Sequence, residues 1–408
     1  MVYRRDHEFL KGKVAAMATF SPYPADPRPR RAVAALLDVG MQVDLICLED
    51  PSEPAQERID GLSVLRVPIV HTRGGKLSYL FEYSAFIAIV CVVFAFRTLR
   101  RHYDLVHIHN MPDTLVISGL VPKAFGAKVI LDMHDPMPEL METILNRGED
   151  SLAVRLLMRL EKWSMARAHA VITVNAAFQR VFASRSCRAE KIHVVMNAPD
   201  EKIFAANPEQ PVPQGKRRHP GFAIMYHGSL LERNGADLAV DALAKVRRYL
   251  PDAQLFIYGK KTLFLDKVME LARDKRVSES VHYLGPKTLE DVVRAIEDCD
   301  VGIIPNPRNP FTEMNTPTRI FEFLAMGKPV IAPRTQGICG YFGPKSLIFF
   351  EPGNTDDLAQ KLAYVFAHPV EVGEIVKRGQ DVLQKHSWAS ERQRYIELVS
   401  HLLEARAT

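Results

Sequence analysis

Cysteine is scarce: Cys47, Cys91, Cys187, Cys299 and Cys339 are the whole set in 408 residues, and none sits in a C-x-x-C pair. An odd, scattered set excludes a disulfide framework and fits a reducing compartment, so a cytoplasmic location is expected. A surplus of one charge sign is also missing. Lys plus Arg total 53 against 48 for Asp plus Glu, and a net charge of +5 gives no argument for nucleic acid at this length. There is no G-x-G-x-x-G after the candidate first strands and no G-x-x-x-x-G-K-[ST], which weakens nicotinamide and flavin readings and makes a P-loop nucleotidase unlikely on sequence grounds. No H-E-x-x-H and no zinc spacing occurs, so no metal is expected. The N-terminus leads into charge rather than an apolar core, and no signal peptide is expected there.

What is present is alternation. Short apolar runs at 14–18, 43–47, 62–67, 105–108, 128–132 and 170–174 read as strands with helical patterns between them. A proline- and charge-rich stretch at about 204–221 interrupts the pattern and reads as a linker. Strands then resume at 222–226, 254–258, 280–284, 301–305, 329–332 and 347–350, and 388–405 reads as a long amphipathic helix. Strand–helix alternation of this kind predicts α/β architecture: two doubly wound parallel-sheet domains facing a cleft. The boundaries are read as 1–205, 206–385 and a C-terminal helix 386–408 that packs back on the first domain. Ligands are then expected beyond the carboxyl ends of the strands.

One run breaks the rhythm. Ala85 to Phe96 carries no polar group, and Arg73, Lys76, Arg97, Arg100 and Arg101 flank it against the single acid Glu82. Twelve helical residues reach about 18 Å, short of the ~30 Å hydrocarbon core. Two readings stay open: a buried crossover helix, or a helix over 77–101 that dips into a membrane surface with its arginines on anionic lipid.

Three stretches carry chemistry. Residues 315–332, beginning Asn315-Thr316-Pro317-Thr318-Arg319, read as a loop and then a helix capped by Thr316 with Pro317 first. A helix N-terminus with Arg319 in its first turn suits a diphosphate, and Glu322 one turn on suits a ribose diol. Tyr226-His227-Gly228-Ser229, continuing to Arg233 and Gly235, reads as a strand ending in a glycine turn, and with the Thr316 helix it makes a phosphate cradle. In the first domain, Asp132-Met133-His134-Asp135 and His107-Ile108-His109-Asn110 place polar clusters at two strand ends. Asp298-Cys299-Asp300 imitates a D-x-D metal motif but precedes its strand, the wrong end for a ligand.

With these motifs the chain resembles the retaining glycosyltransferases of family 4, of GT-B fold with two Rossmann-like domains, and in particular bacterial members that build exopolysaccharide, capsule or O-antigen. The similarity runs from Tyr23-Pro-Ala-Asp-Pro-Arg-Pro-Arg through Leu131-Asp-Met-His-Asp and Val194-Val-Met-Asn-Ala-Pro-Asp to Gly228–Gly235, Val281-His-Tyr-Leu-Gly-Pro and 316–332. It implies transfer of a sugar from a nucleotide-sugar donor (UDP or GDP stays open) to a lipid-linked or glycan acceptor. No cofactor and no metal are implied. Donor contacts map to Gly228, Ser229, Arg233, Pro286, Thr316, Thr318, Arg319 and Glu322, and acceptor contacts to Tyr23, Arg28, Asn110 and Asp135. Catalytic roles map to Arg233, Arg319 and His134, the last positioning the sugar or supporting positive charge. The first acid of the family's paired-glutamate motif falls at Met314, beside Glu313, and its phosphate lysine falls at Asn234, beside Arg233. The implied place is peripheral, on the cytoplasmic face of the plasma membrane. A sugar-nucleotide epimerase of the same architecture and a non-catalytic nucleotide-sugar or lipid-binding subunit are the alternatives.

Overall fold

Strands rich in Val, Ile and Leu, and buried on both faces, build two sheets. The computed structural model describes residues 7–69, 76–145, 148, 150–199, 201, 203–204 and 221–404. Arg73 and the linker stretch 205–220 lie outside the described residues, as do the side chains of Lys76 and Leu77. The chain divides into two units, Met1–Met196 with Glu391–Thr408, and Asn197–Ser390.

The first unit holds eight strands: β1 (Val14–Pro22), β2 (Gln42–Leu48), β3 (Gln56–Ile59), β4 (Leu62–Val67), β5 (Leu105–His109), β6 (Lys128–Met133), β7 (Ala170–Thr173) and β8 (Ile192–Val194). Their order is β3-β4-β2-β1-β5-β6-β7-β8. All neighbours run parallel except β3, an exposed edge strand paired antiparallel with β4 through the turn Asp60-Gly61.

Five helices of this unit matter below: α1 (Pro27–Asp38), α2 (Lys76–Arg100), α3 (Leu120–Ala124), α4 (Met137–Leu145) and α5 (Leu152–Arg167). Pro27 opens α1, and the Asp26 carboxylate caps it by accepting from the Arg28 N–H at 3.0 Å. The apolar run 85–96 sits inside α2, whose 25 residues reach about 37 Å. Length therefore permits a membrane span. Topology does not, because α2 joins β4 to β5 in one parallel sheet. A buried stripe at every fourth residue, Glu82, Phe86, Val90, Phe94 and Thr98, faces inward. Phe86 packs edge-on against Phe20 of β1, and Phe94 against Tyr103. Other α2 residues are half-buried or exposed, and only 22% of its most apolar window is fully buried. It is a crossover helix, but not a buried one.

The C-terminal helix Trp388–Glu404 contributes its residues from Glu391 onward to this first unit. Tyr395, Ile396 and Val399 are buried there, the Glu391 carboxylate accepts from the Met196 N–H at 2.9 Å, and Arg392 pairs with Asp38. The contact boundary consequently falls at Met196 and Ser390, compared with 205 and 385 read from the sequence.

The second unit holds β9 (Ala223–His227), β10 (Gln254–Tyr258), β11 (Val281–Tyr283), β12 (Val301–Ile303), β13 (Val330–Pro333) and β14 (Ile348–Phe350), in the order β11-β10-β9-β12-β13-β14. Every pairing is parallel. The order reverses between β9 and β12, and a doubly wound sheet opens a crevice at that point.

Candidate active site

In the first unit the site grows from strand register. His107 and His109 are two apart on β5 and share a face, as do Asp132 on β6 and His134 beyond its end. The parallel register sets His109 opposite Asp132. The result is a buried column: the rings of His107 and His109 stack at 4.3 Å, and those of His109 and His134 at 5.3 Å. Asp132 lies at their side, 3.5 Å from His107 Nε2, 3.3 Å from His109 Nδ1 and 3.6 Å from His134 Nδ1. His109 Nδ1 and His134 Nε2 share a hydrogen bond of 3.1 Å, and His107 Nδ1 shares one of 2.8 Å with the Tyr395 hydroxyl.

Burial disfavours charge on His107 and His134. It pushes His107 down to about 4, helped by His109, and His134 down to about 3 against the pull of Asp132. Burial also opposes charge on Asp132, but His134, His107 and His109 outweigh it and hold the carboxyl well below its usual range. His134 is therefore a neutral imidazole beside a carboxylate. A neutral ring suits either expected role, positioning a sugar hydroxyl or supporting positive charge that develops on the sugar. His107, His109 and Asp132 also place ligand-type atoms within 4.8 Å of one another. Near-parallel stacked rings aim their lone pairs along parallel planes, so the arrangement suits a hydrogen-bond chain better than convergence on one ion.

Arg28 and Asp135 belong to this cluster: burial opposes the Arg28 charge, but Asp26 outweighs it and, with Asp135 and Asp132, raises the guanidinium's pKa. Asp26 grips Arg28 through Nε at 3.1 Å and Nη2 at 3.2 Å. Asn110 is there too, but as a brace. Its amide donates to Asp113 Oδ1 at 3.0 Å and to the Asp135 carbonyl at 3.1 Å, and it accepts from the His134 N–H at 2.8 Å. With both amide hydrogens used, its contribution is to fix His134. Tyr23 is held elsewhere: its carbonyl accepts from Arg66 at 3.2 and 3.3 Å.

Asp113 behind Asn110 is fully buried, and burial pushes its carboxyl up to about 7, with Glu161 adding to the effect. The folded state thus holds this proton far above the ordinary ~3.9, so Asp113's contribution to stability is present below about pH 4 and lost as pH rises to 7. Asp113→Asn should accordingly be more stable than wild type at pH 8, by about 4 kcal/mol, with the gap closing toward pH 4. Urea unfolding at several pH values checks this, and a pH-independent gap would refute it.

In the second unit the site stands at the end of β9. Gly228 (φ +127°) turns the chain away, and a Cβ there would come within 3.0 Å of Arg319 Nη1. Gly235 (φ +67°) starts the helix Ala236–Val246, and a Cβ there would meet the Pro305 carbonyl at 2.0 Å. Between them the loop is braced at the Ser229 carbonyl, which accepts from Tyr226 Oη and Asn234 Nδ2, both at 2.8 Å.

Arg319 opens the helix Arg319–Ala325, donates to the His227 carbonyl and stands 5.1 Å from the centre of the Tyr226 ring. Glu322, one turn on, approaches His227 Nε2 to 3.4 Å. The structure thus brings Gly228, Arg319 and Glu322 together. Arg233 lies 5.9 Å from the Phe311 ring centre, and Ser229 is exposed on the loop. Pro286, also exposed, follows Gly285, whose carbonyl accepts from Gly259 N–H beside the β9 end.

One expectation fails here. Thr316 does not cap the helix and Pro317 is not its first residue; Thr318 occupies the cap position without a side-chain bond. The Thr316 hydroxyl instead donates to the Gly337 carbonyl at 2.9 Å, which ties the loop to the segment after β13. Sequence reasoning also passed over His227. It is buried, pushed down to about 3 by burial and then by Arg319, and packed edge-on against Phe323, so a neutral ring meets Glu322.

Comparison with known proteins agrees with both halves. Residues 25–198 match the glycosyl transferase 4-like domain, and residues 221–368 match the glycosyl transferases group 1 domain. A putative teichuronic acid biosynthesis glycosyltransferase, TuaH of Bacillus subtilis, is 28% identical over 35% of this chain and 34% of its own length. The probable glycosyltransferase WbjE of Pseudomonas aeruginosa is 21% identical over 58% of this chain and 59% of its own. The chain thus spans about a third and about three fifths of these two relatives. Among solved structures, sucrose-phosphate synthase from Thermosynechococcus elongatus superposes with a TM-score of 0.79 at 17% identity, covering 96% of this chain and all of that one. Anabaena HepE in complex with UDP-glucose gives 0.71 at 18% identity, covering 95% and 99%. At such identities these structures show the shared GT-B fold. The chain thus joins a glycosyl transferase 4-like domain to a glycosyl transferases group 1 domain on that fold.

Proposed function

We propose that the chain is a retaining glycosyltransferase that moves a sugar from a nucleoside-diphosphate sugar to a lipid-linked or glycan acceptor in cell-surface polysaccharide synthesis. The observation that carries this reading is the Arg319 guanidinium seated against Gly228 with Glu322 one turn away, at the end of β9 in the group 1 domain. A fork of N–H donors beside an open glycine turn matches a diphosphate, and a carboxylate beyond it matches a ribose diol. The relative described as a putative teichuronic acid biosynthesis glycosyltransferase and the UDP-glucose complex of HepE support the substrate classes. In the first unit, His134 and Arg28 would face the acceptor, with Asn110 and Asp132 holding His134 in place. Arg319 and Arg233 would stabilise the leaving diphosphate as charge develops on it. Attack from the same face as the departing group keeps the anomeric configuration, and the leaving phosphate takes the proton of the acceptor hydroxyl.

A thermal-shift screen with UDP, GDP and their sugars tests this. One nucleotide series should raise the melting temperature of wild type and not of Arg319→Ala, and no shift with any nucleotide would contradict the reading. Activity should also survive EDTA, because arginines meet the phosphate charge here. Loss in chelator that magnesium or manganese restores would show that a cation is required.

A further inference from the structure

We propose that the first unit docks onto an anionic lipid surface through the outer face of α2. The buried stripe of α2 leaves an opposite face that is apolar along nearly the whole helix. Leu80, Phe81, Val92, Phe96 and Leu99 are each more than half exposed, and Leu80 to Leu99 spans about 28 Å. The acid of this helix, Glu82, is on the buried side. The face continues onto its neighbour, since α3 packs beside α2 and exposes Val121 and Phe125. A monomer in water has no reason to keep so long an apolar stripe uncovered.

Charge at its end identifies the occupant. Where the stripe reaches Phe96, a pocket of about 690 Å³ is lined by Arg58, Arg97, Arg100 and Arg101, opposed by Asp44 and Asp60. Asp44 engages Arg97 at 3.8 Å and Arg101 at 3.4 Å. Arg58 and Arg100 have no carboxylate contact among the described residues, and Arg100 lies 4.0 Å over the Phe96 ring. A phosphate held there would sit beside apolar side chains, which is the layout of a phospholipid at the headgroup boundary. A second copy would set arginines against arginines; an anionic bilayer meets both the apolar stripe and its basic end. Because both ends of α2 feed one sheet, the helix lies on the surface rather than crossing it.

The test is flotation of the purified full chain with phosphatidylcholine vesicles and with vesicles containing phosphatidylglycerol, at low and high salt. Wild type should float with the anionic vesicles and retain part of that binding in high salt. Phe81→Ser/Val92→Ser/Leu99→Ser should lose the salt-resistant part. Arg58→Ser/Arg100→Ser, which leaves the partners of Asp44 in place, should weaken binding about 25-fold, at ~1 kcal/mol per charge. Wild type floating with neither vesicle would overturn the proposal. So would equal flotation of all variants, or a lipid-free dimer that the triple variant dissolves, which would make the face a protein interface. The assay contains no donor or acceptor, so its failure leaves the transfer reading standing.

Discussion

Arg319→Ala should weaken nucleotide-sugar binding about 10–100-fold, and Glu322→Ala should do the same. A hydrogen bond to a charged group contributes about 1.5–3 kcal/mol, and each residue offers one such contact set to the donor. The side chains are only half-buried, so removing them opens no large core cavity. Arg319→Ala does release the His227 carbonyl, and a small loss of stability is expected from that bond alone. Arg319→Lys separates charge from geometry. It keeps the cation but loses the planar fork, and should fall between wild type and alanine. Calorimetric titration with the donor series found by thermal shift checks all three variants. Unchanged affinity in both alanine variants would remove the donor assignment.

His134→Ala should lower turnover about 100-fold while leaving donor affinity unchanged, because its place is in the other unit and its contribution is orientation. The pH dependence is the sharper part of this prediction. With its pKa pushed down to about 3, His134 stays neutral from pH 8 to pH 5, so turnover should show no acid limb near 6.5 from this ring. Asp132→Asn should reproduce much of the turnover loss without touching acceptor or donor atoms, since it removes the carboxylate against which His107, His109 and His134 are set. A limb near pH 6.5 that disappears in His134→Ala would mean that the ring works as a cation after all.

Strands such as Leu105–His109 and Gln254–Tyr258 were legible because their side chains are buried on both faces and an apolar run coincides with the element, and Leu62–Val67 because its burial alternates. It passed over Gln56–Ile59 because an exposed edge strand has no apolar pattern; the Asp60-Gly61 turn was the signal that marked it. The histidine column was only half legible. His107-x-His109 and Asp132-x-His134 are visible pairs, but their meeting depends on β5–β6 register, and Tyr395 arrives from 288 residues away through the returning C-terminal helix. No local pattern records such a contact. Thr316-Pro317 carries an N-cap signature, yet the hydroxyl finds the Gly337 carbonyl, a tertiary bond that overrides local preference. In α2, apolar content and basic flanks were legible, whereas which face is covered follows from packing alone.

Sugar transfer is measured by release of nucleoside diphosphate from the bound nucleotide sugar, with and without a lipid-linked glycan extract, with the sugar product followed by NMR. Release should depend on the extract and give a glycosidic product with the donor's anomeric configuration, and Glu322→Ala should show neither. Equal release without the extract, accompanied by free or epimerised sugar, would contradict transfer and make the chain a sugar-nucleotide epimerase.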